Sequence, residues 1–229
     1  MRRIKFLILG MVLFATSGLM AQDSAFFANQ YVKSMALLRK AQEFNDADME
    51  KRALFDLLVL NERDTIVLQG LASKYYNEAN YTSSVLVGLD YLKHHPGDIF
   101  ALEICALSYE KLRIYDKAIQ FYQDLYFRDD NIFILYQIAF LQYTVKSYQE
   151  SIVNIAALLN KADPKATLQL TGSNNRLQEV SFEAALYNLR GLIEADKGNN
   201  TEAKEFFEQA LKVAPDFEAA LLSLKELNN

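Results

Sequence analysis

The chain has 229 residues, 51% of them hydrophobic, with 24 Lys plus Arg against 29 Asp plus Glu. That length and apolar content can fill a continuous core and exclude a disordered chain, and a net charge of −5 argues against nucleic acid as a partner. Eight Gly and three Pro are few for a protein of short strands and tight turns, so composition favours helices.

Residues 1–21 differ from everything that follows. Arg2, Arg3 and Lys5 precede an apolar run from Phe6 to Phe14, then small and hydroxylated residues lead to Ala21 before Gln22. This is the pattern of a cleaved secretory signal peptide. The apolar run is shorter than the roughly 20 residues that span a bilayer, so no membrane span is expected once the leader is removed. Cleavage after Ala21 leaves 21 basic against 29 acidic residues, a net charge of −8. A periplasmic location follows, with secretion as the other destination. The single Cys105 offers no internal disulfide, so packing alone must hold the fold.

After a lead-in at 22–30, a pattern of about 34 residues recurs from residue 31. Residues 31–64 keep the length and an amphipathic helix pair, with Leu38 and Glu50 at places where later units carry small side chains. Residues 65–98 carry Leu71, Ala72, Tyr75, Tyr81, Ser84 and Pro96; residues 99–131 carry Ala106, Tyr109, Tyr115, Ala118 and Tyr122, with Asp130 at the place of the proline. Residues 132–165 carry Ala139, Tyr148 and Ser151 before Asp163-Pro164. Residues 166–183 break the period: Thr167-Leu168-Gln169-Leu170-Thr171 alternates, a Gly-Ser-Asn-Asn turn follows, then Leu177 and Val180. A short β-hairpin and a mobile loop both fit that stretch. The period returns at 184–217 with Tyr187, Gly191, Gly198, Ala203, Phe207, Ala210 and Pro215, and residues 218–229 form a capping helix with Leu221, Leu222 and Leu224 toward the last unit.

The small residues supply the physical reason for the period. Ala72 with Ser84, Ala106 with Ala118, Ala139 with Ser151 and Gly191 with Ala203 let two helices approach closely, while Tyr and Phe fill the wider gaps. Helix starts are marked by Asp64, Asp98 and Asn200 as N-caps and by Ser147 with Glu150 as a capping box.

The spacing in 184–217 resembles a tetratricopeptide repeat, and the earlier units resemble it more loosely. The resemblance implies an all-α, right-handed solenoid of about five antiparallel helix pairs, interrupted once. It also implies a concave groove lined by the second, fifth, ninth, twelfth and thirteenth positions of each first helix. In that register the second unit contributes Ile66, Gln69, Ser73, Tyr76 and Asn77, and the third Phe100, Glu103, Leu107, Glu110 and Lys111. The fourth contributes Phe133, Tyr136, Phe140, Tyr143 and Thr144. Tyr76, Phe100, Leu107, Phe133, Tyr136, Phe140 and Tyr143 thus form a candidate groove for a peptide or partner helix, more aromatic than a solvent-facing surface requires. The competing reading is that the insertion or the C-terminal helix folds back over these rings. The clamp for an acidic C-terminal tail found in chaperone-adaptor members is not matched, since Gln69 and Ser73 stand at such positions.

No sequence motif with a known catalytic mechanism is present, so no catalytic residue, metal or cofactor is expected. His94 and His95 are adjacent in a turn without ligand spacing around them, Cys105 falls at a core position, and Asp129-Asp130 lies in a turn as solvated caps. Asp23-Ser24-Ala25 and Asp64-Thr65-Ile66 resemble an acceptor pattern for O-glycosylation at Ser24 and Thr65, although Asp64 also reads as a plain N-cap. The expected function is a non-catalytic scaffold of the bacterial cell envelope that binds protein or peptide partners. An accessory factor in outer-membrane or secretion-complex assembly is the alternative, and an enzyme or carbohydrate-binding module is the least favoured reading.

Overall fold

The computed structural model describes residues 25–163, 165–172 and 176–227; the leader, its cleavage point and Ser24 lie outside them. The helices come in consecutive pairs: α1 (25–43) with α2 (Ala47–Leu60), α3 (Thr65–Asn77) with α4 (Tyr81–His94), and α5 (Ile99–Lys111) with α6 (Tyr115–Asp129). Next come α7 (Ile132–Thr144) and α8 (Tyr148–Lys161), strands β1 (Thr167–Thr171) and β2 (Leu177–Ser181), and the pair α9 (Phe182–Asp196) and α10 (Asn200–Val213), closed by α11 (Glu218–Leu227). This is the all-α, helix-pair fold expected, with the hairpin realised in place of the loop. Two boundaries move: the described part of the 22–30 lead-in is already inside α1, and α9 begins at Phe182, two residues before the repeat was drawn. The chain forms two compact units, one through Ile104 and one from Cys105.

Within every pair the turn is built the same way. The second residue after the first helix is left-handed at Asn45, Ala79, Arg113, Lys146 and Gly198. Around it two backbone bonds cross: Ala79 N–H donates to Tyr76 and Asn80 N–H to Tyr75, at 3.0 and 2.8 Å, and the other four turns repeat both bonds. This is a Schellman motif, which satisfies the orphan carbonyls at the helix end. Consecutive left-handed residues are 34, 34 and 33 apart, then 52 across the insertion. The turns therefore carry the repeat period as clearly as the side chains do. Asp130, also left-handed at φ 49°, explains the missing proline of the third unit, because a proline ring holds φ near −65°.

The paired small residues meet as expected. Ser84 Oγ donates to the carbonyl of Ala72 at 3.0 Å and Ser151 Oγ to that of Ala139 at 2.7 Å, all four residues fully buried. Ala106 and Ala118 are buried too, and Gly191 faces Phe207 so closely that a Cβ would lie 2.5 Å from the ring. In the first pair, where Glu50 replaces a small residue, its carboxylate is half-buried and paired with Lys74, while Lys51 pairs with Glu78 at 2.8 Å. Leu54, Leu57, Val67 and Leu71 form the core beneath them.

Three local expectations are corrected. Ser147 makes no capping bond, and Asn199 replaces Asn200 as N-cap, again without one. Asp46, Asp64, Asn80 and Asn131 do cap through their side chains, whereas Ser147 and Asn199 make no such bond. In α11 the inward stripe is Phe217 and Ala220, both buried, leaving Leu221 and Leu222 47% and 43% exposed. Phe217 anchors the helix start, and the three-residue step to Ala220 sets its phase.

The hairpin pairs Thr167 with Ser181 through Thr171 with Leu177. Its alternation sends Val180 inward onto Ala184, Ala210, Phe217 and Ala220, with Leu170 packed against them. Gln178 binds the entry to α11 from both sides, donating to the Asp216 carbonyl at 2.7 Å and accepting from Glu218 N–H at 3.2 Å. One face of the insertion thus serves the fold, while Leu177 stays 70% exposed.

Candidate protein-binding face

In the first unit, Ile66 is 79% exposed at the start of α3, and Tyr76 near its end meets Tyr81 edge-on with centroids 5.4 Å apart. Phe100 packs beside Leu68, Tyr91 and Ala101, so much of its ring belongs to the core. Gln69 donates to the Tyr91 hydroxyl at 3.2 Å, and that hydroxyl donates to Asp98 at 3.2 Å. Asp98 also caps α5 by accepting from Ala101 N–H at 3.0 Å. Burial pushes the Tyr91 phenol up, and the Asp98 carboxylate adds to the shift. Thr65 opens α3 directly after Asp64, whose side chain accepts from Ile66 and Val67 N–H, and its hydroxyl reaches Tyr91. His95 lies edge-on to the Tyr91 ring at 5.3 Å, with His94 at the end of α4.

In the second unit, Cys105 is fully buried and desolvation raises its thiol to about 12, the behaviour of a core residue. Leu107 is half-buried on α5, and Glu110 accepts from Tyr122 Oη at 2.7 Å. Asp130 is ion-paired with Lys161, which holds its carboxyl below the usual range, so it is less free than a solvated cap.

The aromatic residues of α7 fall at i, i+3, i+7 and i+10, one stripe of the helix. Buried Phe182, the first residue of α9, meets Phe133 edge-on at 5.5 Å and Tyr136 at 5.6 Å, and desolvation drives the Tyr136 phenol to about 12. The insertion's end therefore covers Tyr136 in part, as the competing reading held. It does not close the stripe: Phe133 and Phe140 remain 46% and 40% exposed. Phe140 tilts against Tyr143 at 6.4 Å, and Tyr143 against Tyr148 at 6.3 Å. Tyr148 Oη donates to Asp196 Oδ2 at 3.0 Å. Burial raises the Tyr143 phenol, and the Asp196 charge raises it further.

Sequence reasoning missed Phe182, Tyr148 and Asp196. Extending the groove register into the last unit yields Ala185, Asn188, Leu192, Ala195 and Asp196, which would have found the carboxylate. Asn188 is 8% exposed and its Oδ1 has no hydrogen-bond partner. A separate cleft of about 420 Å³ lies among α6, α7 and α8, lined by Gln123, Tyr126, Phe127, Leu135, Ile138 and Asn154.

Residues 184–217 match the family model of the tetratricopeptide repeat. The whole fold is matched as well. YrrB, solved as "a TPR protein with an unusual peptide-binding site", superimposes with a TM-score of 0.65 at 14% identity over 89% of this chain and 97% of its own. One repeat of this chain thus matches the tetratricopeptide model, and the whole chain is similar in fold to solved tetratricopeptide-repeat proteins. MamA is similar, with a TM-score of 0.61 at 14% identity over 81% of this chain and 92% of its own. MamA 41-end from Desulfovibrio magneticus RS-1 gives 0.60 at 13% identity over 82% and 97%. No curated protein sequence matches. At these identities the likeness is one of fold, and function must be argued from the side chains on the tetratricopeptide scaffold.

Proposed function

We propose that the protein is a non-catalytic interaction scaffold of the bacterial cell envelope and holds an extended peptide or partner helix on the aromatic face of α7. The observation that carries this reading is the pair Phe133 and Phe140, two large rings left about half exposed on one stripe with Tyr136 and Tyr143 between and beside them. Aromatic side chains that are partly exposed, and held in place by neighbouring rings, supply large contact area at small ordering cost. The tetratricopeptide fold and the peptide-binding site named for YrrB agree with it. The envelope address rests on the composition of residues 1–21.

The test is a photo-crosslinking amino acid at position 140 in cells, with position 212 on α10 as a control. Specific adducts at 140, lost when Tyr136→Ala and Phe133→Ala are added, are the expected result. Adducts no more frequent than at 212, with both substitutions leaving them unchanged, would remove the α7 face from consideration. Fractionation of the same cells decides the address: protein retained in the cytoplasm with residues 1–21 intact would refute export.

A further inference from the structure

One end of the aromatic stripe has a composition of its own. Phe140 and Tyr143 come from the last two turns of α7, Tyr148 from the first turn of α8, and Asp196 is the last residue of α9. Three rings follow one another at centroid spacings of 6.4 and 6.3 Å, and the last two, Tyr143 and Tyr148, hydrogen-bond the carboxylate of Asp196. Asp196 accepts the Tyr148 hydroxyl and enters no ion pair among the described residues. Lys197, its neighbour, is committed to Glu194 at 2.9 Å, and Lys146 in the α7–α8 turn makes no ion pair among the described residues.

We infer that this end of the face is a pocket for a cationic side chain, an arginine or lysine of the bound peptide. A carboxylate has about four acceptor sites, and its hydrogen bonds with Tyr148 and Tyr143 use two, so two stay available to a guanidinium or ammonium group. The faces of aromatic rings attract a cation within about 6 Å of their centroids. The carbonyl ends of α7 and α9 terminate beside the cluster and add partial negative charge there. A neutral or acidic side chain would gain only the ring contact. The acidic balance of the chain, net −5, favours approach of a basic segment over an acidic one. This inference rests on the peptide-binding reading of α7 and specifies the partner's chemistry.

The experiment is selection of a random dodecapeptide phage library on the wild-type chain, followed by fluorescence titration of the synthesised winners. Winners should carry an Arg or Lys whose replacement by citrulline or Gln weakens binding at least tenfold to wild type but not to Asp196→Asn. Tyr148→Phe, which keeps the ring, should retain the preference. Circular dichroism melts show whether each variant remains folded. Winners whose binding needs Phe140 but is indifferent to charge would overturn this inference and leave the peptide-binding face standing. Absence of any winner sensitive to Phe140→Ala would overturn both.

Discussion

The close approach of α9 and α10 makes Gly191→Ala a decisive substitution. A Cβ there would lie 2.5, 2.6 and 3.1 Å from three atoms of the Phe207 ring, which is itself 1% exposed. Ordinary carbon contacts are about 3.5–4.0 Å, so ring and helix must separate by about 1 Å. A rigid, fully buried ring cannot turn aside, which puts the overpacking cost near the upper end of the usual ~1–3 kcal/mol. Replacing glycine in a helix interior returns about 1 kcal/mol. The net expectation is a loss of about 2 kcal/mol, or roughly 4–8 °C in Tm for a chain of this size. Gly70→Ala serves as the opposite case: its Cβ would meet only the flexible Leu54 side chain at 3.4 Å, so the helix gain survives and stability should rise by about 0.5–1 kcal/mol. Urea unfolding followed at 222 nm reads both, with amide exchange in α9 and α10 to localise the loss, because repeat units can open separately. A Gly191→Ala protein as stable as wild type would show that small-residue pairing does not set the helix spacing.

Ser151→Ala removes a buried hydroxyl that donates to Ala139 at 2.7 Å and should cost about 1 kcal/mol in the same urea assay. Ala79→Gly relieves a left-handed alanine at φ 57° and should stabilise by up to about 1 kcal/mol, whereas Gly198→Ala, left-handed at φ 81° with open space around it, should destabilise by a similar amount. Glu194 is fully buried: burial alone would raise its carboxyl, but the bonds from Lys197 and Asn199 and the charges of Arg190 and Lys197 outweigh it and hold the group below its ordinary 4.5. A carboxyl depressed in the folded state contributes stability at pH values above its unfolded pKa and loses it as pH falls through the folded value. The wild-type melting temperature should therefore drop more steeply below about pH 4.5 than that of Glu194→Gln, and parallel curves would refute the role.

The helix pairs are legible in the sequence because close packing needs small residues at fixed separations, and Ala72 with Ser84 or Ala106 with Ala118 cannot easily arise otherwise. The turns are not legible in the same way. Only Gly198 among the five left-handed turn residues carries the expected glycine, while Ala79, Arg113 and Lys146 adopt that conformation because two crossing backbone bonds over-determine it. Ser147 also fails as a cap, since a capping box in sequence does not fix where the serine hydroxyl turns. The phase of α11 is hidden for a related reason: three leucines suggest a stripe, but the anchor is Phe217, one residue before the helix begins. Phe182 is the larger omission. The period places it inside the insertion, and no local pattern announces that the residue after a hairpin will reach the rings of a helix about fifty positions earlier.

What the fold requires of α7 can be separated from what it does not. Leu135, Ile138, Ala139, Leu141 and Gln142 are its buried residues, and they with the α7–α8 turn satisfy the pairing with α8. Phe133, Tyr136, Phe140 and Tyr143 are extra. At the same register α3 carries Ile66, Gln69, Ser73 and Tyr76, and α9 carries Ala185, Asn188, Leu192 and Ala195, so equivalent helices fold with Gln69 or Asn188 at the place of Tyr136 and with Ser73 or Leu192 at that of Phe140. Phe182 makes use of Tyr136 and the edge of Phe133, which gives those two a structural share. Among the described residues no buried ring stacks on Phe140 or Tyr143; Phe140 meets Tyr143, which meets Tyr148 and the carboxylate of Asp196. A fold that tolerates serine and leucine at the corresponding place does not explain a phenylalanine left 40% exposed on a row of rings that leads through Tyr143 to an acid. A bound cationic side chain does, because it would use the ring face and the charge together.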